Sequence, residues 1–435
     1  MTKENQDQIK WHESMTVKLV LLGTMAILFL IPLQLIKMVI RERENNSNAV
    51  RMEIAEQWGK RQTITGPVLN IPVYRNPGDN SAEKDRVERI WHILPNDLNI
   101  LASIDPEIRY KSIYETVIYT ANLKIKGKFD IPDRIRDNYI VIWSGAYLSM
   151  GISDNRGLVD QVIINLDNNK IPAEPGLIDY DIFQSGLTFP LSLNKSDPEI
   201  EFDLDFFIKG SDGLSFTPVG ESTRVELTSS WTSPSFNGKF IPTTREINES
   251  GFKAKWIITH LNRNFPQEWV GPIHDISGES FGADMILGVD HYQKSERSSK
   301  YGLLFIAFTF LVLLFIEVSS KKRIHIFSYF LVSLALVLFF SLLNALSEHI
   351  GFNASYILAS VSIILMISIF SGSLLGDIKK ALLIGSMLTI LYAFLYFLLS
   401  LNEFAYLAGN IGLLIGLTGI MWLTSKTDIF KKGGL

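Results

Sequence analysis

Few residues in this chain are spaced for chemistry. The most suggestive set is Ser347-Glu348-His349, with Asn344 one helical turn before it. A carboxylate beside an imidazole can take and return a proton, so a catalytic Glu–His pair is one reading. The plainer one is that these residues cap helices and dock a neighbouring domain. Asp203 and Asp205 sit two apart; on one strand face they would pair as acid and base, or form a solvated polar face. Ser277-Gly278-Glu279-Ser280 resembles a nucleophile elbow only loosely, and its Gly, Pro and Asp neighbours read as a loop. No HExxH, GxxxxGK[ST] or GxGxxG occurs, and no two of the seven histidines fall at helical ligand spacing. There is no cysteine, so disulfides, iron–sulfur clusters and thiolate metal sites are excluded. No catalytic residue, cofactor or metal is expected, unless distant residues converge in the fold. His92 and His260 read as ordinary strand residues.

The elements that must position these residues fall into two kinds. Six apolar segments divide the 435 residues one plus five: Val17–Ile40, then Tyr301–Val318, Ile326–Leu346, Ser355–Leu375, Ala381–Ser400 and Phe404–Leu423. Each is close to the roughly 20 residues a helix needs to cross hydrocarbon. The expected fold class is therefore an α-helical polytopic membrane protein with a large β-rich domain inserted between spans 1 and 2. The first segment lacks a small-residue cleavage site and reads as an uncleaved signal anchor. Lys321-Lys322-Arg323, Lys379-Lys380, and Lys426, Lys431 and Lys432 follow spans two, four and six. The alternate loops, Ser347–Ala354 and Leu401–Glu403, hold Glu348 and Glu403 without Lys or Arg. Basic loops stay in the cytoplasm. Both termini (1–16 and 424–435) are thus expected inside and residues 41–300 outside, with the bilayer as the first partner. Lys37, Arg41 and Arg43 on the outer flank of span one conflict with this pattern.

Spans two to six carry no charge in their interiors, where ion paths usually show themselves. Glu317 reads as a boundary carboxylate near Lys321, and Asn344 and Asn410 as hydrogen-bonding groups between helices. Ala408, Gly412 and Gly416 form a small-residue stripe that would pack helices within the bundle or join two copies of the chain. The net charge of −4 gives no sign of nucleic-acid binding.

In the soluble block, Val50, Ile54 and Trp58 mark a helix face over 41–62, after which the period changes to two. Glu199–Lys209 and Phe252–His260 alternate apolar with charged. Seven further strands are expected: Ile64–Val73, Arg89–Leu94, Leu98–Ile104, Thr116–Lys126, Tyr139–Leu148, Val159–Asn165 and Thr223–Trp231. Residues 63–300 have room for one β unit or two, with a weak seam near Asp167–Gly176. Pro67 and Pro72 bracket a short segment that suits an edge strand. Phe236 and Phe240, in a Pro- and Gly-shaped loop, would form a partner surface or fold back onto the core.

Four stretches resemble the CreD family of bacterial cell-envelope integrity proteins. They are Thr65-Gly66-Pro67-Val68-Leu69-Asn70-Ile71-Pro72; the long run from Leu227-Thr228-Ser229-Ser230-Trp231 through Arg245-Glu246 and Glu249-Ser250-Gly251-Phe252 to Trp256; Lys300-Tyr301 with Glu317; and Ala345-Leu346-Ser347-Glu348-His349 with Gly351-Phe352. The likeness covers essentially the whole chain. It implies an inner-membrane protein of Gram-negative bacteria, with its large domain in the periplasm. It also implies a link to a two-component regulatory system and to envelope stress, β-lactams included. It supplies no reaction and no catalytic residues. Two functions remain. In one, the β domain binds an envelope protein or a peptidoglycan-related ligand and the helices anchor it. In the other, a membrane enzyme or transporter acts on a lipid-linked envelope component.

Overall fold

The computed structural model describes residues 15–75, 88–132, 139–167, 169–191, 193, 199–285, 287, 291–320, 322–401, 407–412, 414, 418 and 421. The chain divides into two compact units: Ser47–Gly288, and Met1–Asn46 with Val289–Leu435.

The first unit is built from two sheets. One has the strand order β14 (Pro234–Gly238), β18 (Phe281–Met285), β12 (Gly213–Thr217), β1 (Gln62–Arg75), β6 (Tyr147–Ile152), β10 (Gly186–Pro190) and β9 (Glu174–Pro175). Further along β1 it adds β2 (Glu88–Ile93), which carries β17 (Glu268–Val270), and also β5 (Tyr139–Val141). The other sheet runs β15 (Thr244–Asn248), β16 (Gly251–Thr259), β13 (Ser222–Ser229), β3 (Asp97–Lys111), β4 (Tyr114–Asp130), β11 (Glu199–Ser211), β7 (Ile163–Leu166) and β8 (Asn169–Pro172). Alternation decides which side chains go inward. On β11, Ile200, Phe202, Leu204, Phe206 and Ile208 are buried while Glu201 and Asp205 stay exposed. Buried residues of both sheets join one continuous core around Trp91, Phe129, Phe216, Trp256 and Phe281.

Three expectations change here. The segment bracketed by prolines is no edge strand: β1 pairs with β12, β2, β5 and β6. Pro67 is tolerated because the β1–β6 register breaks between Thr65 and Val68. In addition, β12 reaches only to Thr65 and β2 begins at Leu69, so no ladder donor is asked of Pro67. The expected strand Tyr139–Leu148 is broken by a 3-10 turn at Trp143–Gly145. The seam near Asp167–Gly176 is the β7–β8 hairpin and the passage to β9, where the chain leaves one sheet for the other.

The second unit is helical: α1 (Met15–Leu28), α2 (Leu30–Trp58), α3 (His291–Lys300), α4 (Gly302–Ser320), α5 (Ile326–Ile350), α6 (Phe352–Leu375) and α7 (Ile378–Ser400). The boundary between units falls inside α2, after Asn46. Four helical segments are long and apolar enough to cross a membrane: Val17–Trp58, Ile326–Ile350, Phe352–Leu375 and Ile378–Ser400. A pair bent by 45°, His291–Lys300 with Gly302–Val318, makes a fifth if it counts as one span. Most of the sixth expected segment, Phe404–Leu423, lies outside the described residues, as do Lys321, Glu403 and the C-terminal lysines. Aromatic rings of α4, α5, α6 and α7 fill the bundle: Tyr392 stands 4.7 Å from Phe339 and 5.0 Å from Phe305.

The expected loop Ser347–Ala354 is almost entirely helix. Ala345, Leu346 and Glu348 favour helix, so α5 runs on to Ile350. Only Gly351, at φ 76°, separates it from α6.

Candidate functional site

Four places concentrate polar groups, each within one unit. The first is the last turn of α5. Asn344 and Glu348, one turn apart, share a face, whereas His349 is exposed. Ser347 is buried and donates to the Asn344 carbonyl at 2.9 Å. Glu348, its side chain only 8% exposed, accepts from Tyr292 of α3 at 3.3 Å and faces Arg43 of α2 at 4.0 Å. The helix therefore does not aim the neighbours Glu348 and His349 at a common point. Arg41 pairs with Glu296 at 2.9 Å. Arg41 and Arg43, which disturbed the expected charge pattern, are thus paired with carboxylates of α3 and α5.

The second place is the opposite end of the bundle. Glu317 is held by Lys18 of α1, whose Nζ contacts both carboxylate oxygens and donates to the Ile324 carbonyl at 2.8 Å. Tyr329 of α5 donates to the same carboxylate at 2.9 Å. Lys322 donates to the Leu375 carbonyl at the end of α6, and Asp377 caps α7 by accepting from Lys379 N at 2.9 Å. An apolar cleft of about 320 Å³ lies between α4, α7 and Gly412. Its Thr309 hydroxyl is turned onto the Phe305 carbonyl. A Cβ on Gly412 would stand 2.0 Å from the Phe394 ring, so this residue packs within the chain. Ala408 is half-buried, and Gly416 lies outside the described residues.

The third place is the β15 end of the eight-stranded sheet. Phe236 turns its ring onto Phe252 and Trp256, at 5.7 and 5.9 Å, and Phe240 onto Phe281 at 5.9 Å. Neither stands clear of the core as a partner surface; burial of large rings outweighs the loop's Pro and Gly content. Beside them opens a polar cleft of about 500 Å³. Its wall is made by Ser103 and Asp105 of β3, Thr228 and Ser229 of β13 with Ser230, and the turn from Glu246 to Lys253. Sequence reasoning missed it because its hydroxyls, amides and charges come from strands that are neighbours only in space. Asp203 and Asp205 are a solvated face, facing Lys126 at 2.8 Å and Lys124 at 3.6 Å across β4. Ser277–Glu279 is a short turn, with Glu279 on Lys239 at 2.7 Å.

The fourth place is a row across the ten-stranded sheet. Strand register sets Trp269 beside His92, His92 beside Asn70, and Asn70 beside Tyr147. Their side chains therefore share a face. Residues Gly176–Phe183 lie over it and bring Asp179 and Asp181. His92 is fully buried; its Nδ1 lies 2.7 Å from Asn70 Oδ1 and its Nε2 lies 3.3 Å from Asp181 Oδ2. Tyr147 donates to Asp179, which also accepts from Asp181 N at 3.0 Å. The donor atoms of His92, Asp179 and Asp181 all lie within 4.8 Å of one another. Burial pushes the His92 imidazole below its ordinary range, against the pull of Asp179 and Asp181. Burial, then the bond to Asp179, pushes the Tyr147 hydroxyl up. His92 does sit on a strand, but not alone; the only sequence signal was Asp179-Tyr180-Asp181, which gave no hint of its partner.

Comparison with known proteins follows the same lines. The profile of a family described as "Inner membrane protein CreD" matches residues 14–430. Inner membrane protein CreD of Escherichia coli (strain K12) is 30% identical over 413 residues, covering 92% of this chain and 91% of that one.

Proposed function

Since this chain belongs to the CreD family of inner membrane proteins, we propose that it supports cell-envelope integrity and the response to envelope stress, β-lactams included, by binding an envelope component through its β-rich domain. In this reading six helices cross the inner membrane, both termini are cytoplasmic, and Ser47–Gly288 lies in the periplasm. The lysines at one end of the bundle, Lys18, Lys322, Lys379 and Lys380, support that orientation.

The observation that carries the binding role is the polar cleft. Thr228, Ser229, Ser230, Glu246, Ser250 and Gly251 belong to the run on which the family likeness rests, and all six line it. Hydroxyls and amides with Asp105, Glu246 and Lys253 suit a hydrogen-bonding ligand with both charges, such as a peptidoglycan-like peptide or glycan fragment. Three carboxylates of the helical unit are each met by a cation, Glu317 by Lys18, Glu296 by Arg41 and Glu348 by Arg43, as suits an anchor.

The test is in-cell photocrosslinking from Ser250 and Lys253, with Lys126 on the open sheet face and His349 as comparison positions. Capture of one envelope component from the cleft, and its loss on Ser230→Trp, is the expected result. Cleft positions that capture no more than Lys126 sink the binding role. Lipid-linked material caught at His349 alone would turn the reading to a membrane enzyme or transporter.

A further inference from the structure

We propose that His92, Asp179 and Asp181 bind one divalent first-row cation, of the zinc or manganese class, which pins the segment Gly176–Phe183 to the ten-stranded sheet. The argument begins with Asn70. Its amide nitrogen donates to the Val68 carbonyl at 3.1 Å and to Ser149 Oγ at 2.7 Å. Its carbonyl oxygen is left as the group facing His92 Nδ1. That oxygen only accepts, so Nδ1 carries the hydrogen. In the neutral ring, Nε2 is then a lone pair, fully buried and turned toward the Asp181 carboxylate. Two acceptors at that distance repel unless a proton or a cation lies between them.

A cation fits this surrounding better than a proton. Two carboxylates and a neutral imidazole match a charge of +2. Donors about 2.0–2.2 Å from one ion stand up to about 4 Å apart, so the three donor atoms, all within 4.8 Å of one another, close on an ion with at most a small side-chain movement. The imidazole favours a transition ion over magnesium or calcium. The outer partners are in place as well. Asn70 fixes the His92 tautomer and Tyr147 holds Asp179, the arrangement that orients ligands in metal sites. Three protein donors leave room for water on the ion. Ile178 and Tyr180, 61% and 69% exposed, flank the ligands on the same segment.

The experiment uses the full chain in detergent, stripped with EDTA and desalted. Equilibrium dialysis against micromolar Zn²⁺ or Mn²⁺ with elemental analysis reads the stoichiometry. One ion per chain is expected for the wild type and for Asp203→Asn, with binding about 100-fold weaker in Asp181→Asn and Asp179→Asn. Saturating ion should raise the wild-type melting temperature by about 5 °C and slow chymotrypsin cleavage after Tyr180, a readout that needs no variant. No bound ion in the wild type overturns the proposal. So does equal binding by Asp181→Asn, or cleavage after Tyr180 that the ion leaves unchanged.

Discussion

Two ion pairs, one from each unit, handle charge in opposite ways. On the open face of the eight-stranded sheet, Lys126 and Asp203 meet across strands with side chains 64% and 43% exposed. In the helical unit, Lys18 and Glu317 meet at 19% and 11%, with a tyrosine hydroxyl and a backbone carbonyl completing the contact. Water around the first pair screens the attraction and rehydrates either partner if the other is lost. Around the second there is little to replace a missing partner. The same two residue types therefore do different things: one pair keeps a sheet face solvated, the other fixes α1 to α4 and α5.

Removing single partners should separate the two regimes. Glu317→Ala is expected to have the largest effect, about 3–5 kcal/mol in thermal melting of the full chain, because it strands the Lys18 ammonium. The double change Lys18→Met with Glu317→Leu should recover much of that loss; a single variant as stable as wild type would place this pair with the exposed ones. Asp154 is intermediate. It accepts from Lys60 N at 3.0 Å and from the Arg156 guanidinium at 2.9 Å. Burial pulls its pKa up, but the bonds from Arg156 and Lys60 outweigh that and hold it below the ordinary value. Between the two values the unfolded chain binds more protons than the folded one. The stabilisation is therefore whole above the unfolded pKa and fades as pH falls through the native one. Asp154→Ala should cost about 2 kcal/mol at pH 7, and the gap to wild type should shrink in melts below about pH 4. The smallest effect is expected for Lys126→Ala, with no measurable change in melting temperature at 150 mM salt. A clear loss there would mean that the sheet face is covered in the intact protein.

How much of this was legible in the sequence follows from the range of each signal. Glu199–Lys209 declared itself through period two, since each side chain's fate depends on its own parity. The helices from Ile326 to Ser400 declared themselves through length and apolar content. Lys18 and Glu317 did not, because nothing local joins residues 299 positions apart. His92, Asp179 and Asp181 were hidden for the same reason, as was the cleft assembled from β3, β13 and the β15–β16 turn. Ser347–Glu348–His349 was misplaced by a different error. Polar residues after an apolar run look like a loop, although Gly351 is what actually ends the helix.

Two strands near the start of the β unit find parallel neighbours only much later in the chain: β1 beside β12, and β3 beside β13. Neither sheet can be completed by the residues before Gly213. A chain emerging from its N-terminus must therefore carry β1 to β11 for some time with open edges and uncovered apolar faces. Non-local pairing of this kind is slow and leaves the nascent chain open to aggregation. Correct assembly of this protein accordingly depends on keeping the early strands from mispairing until the second half of the β unit has been made.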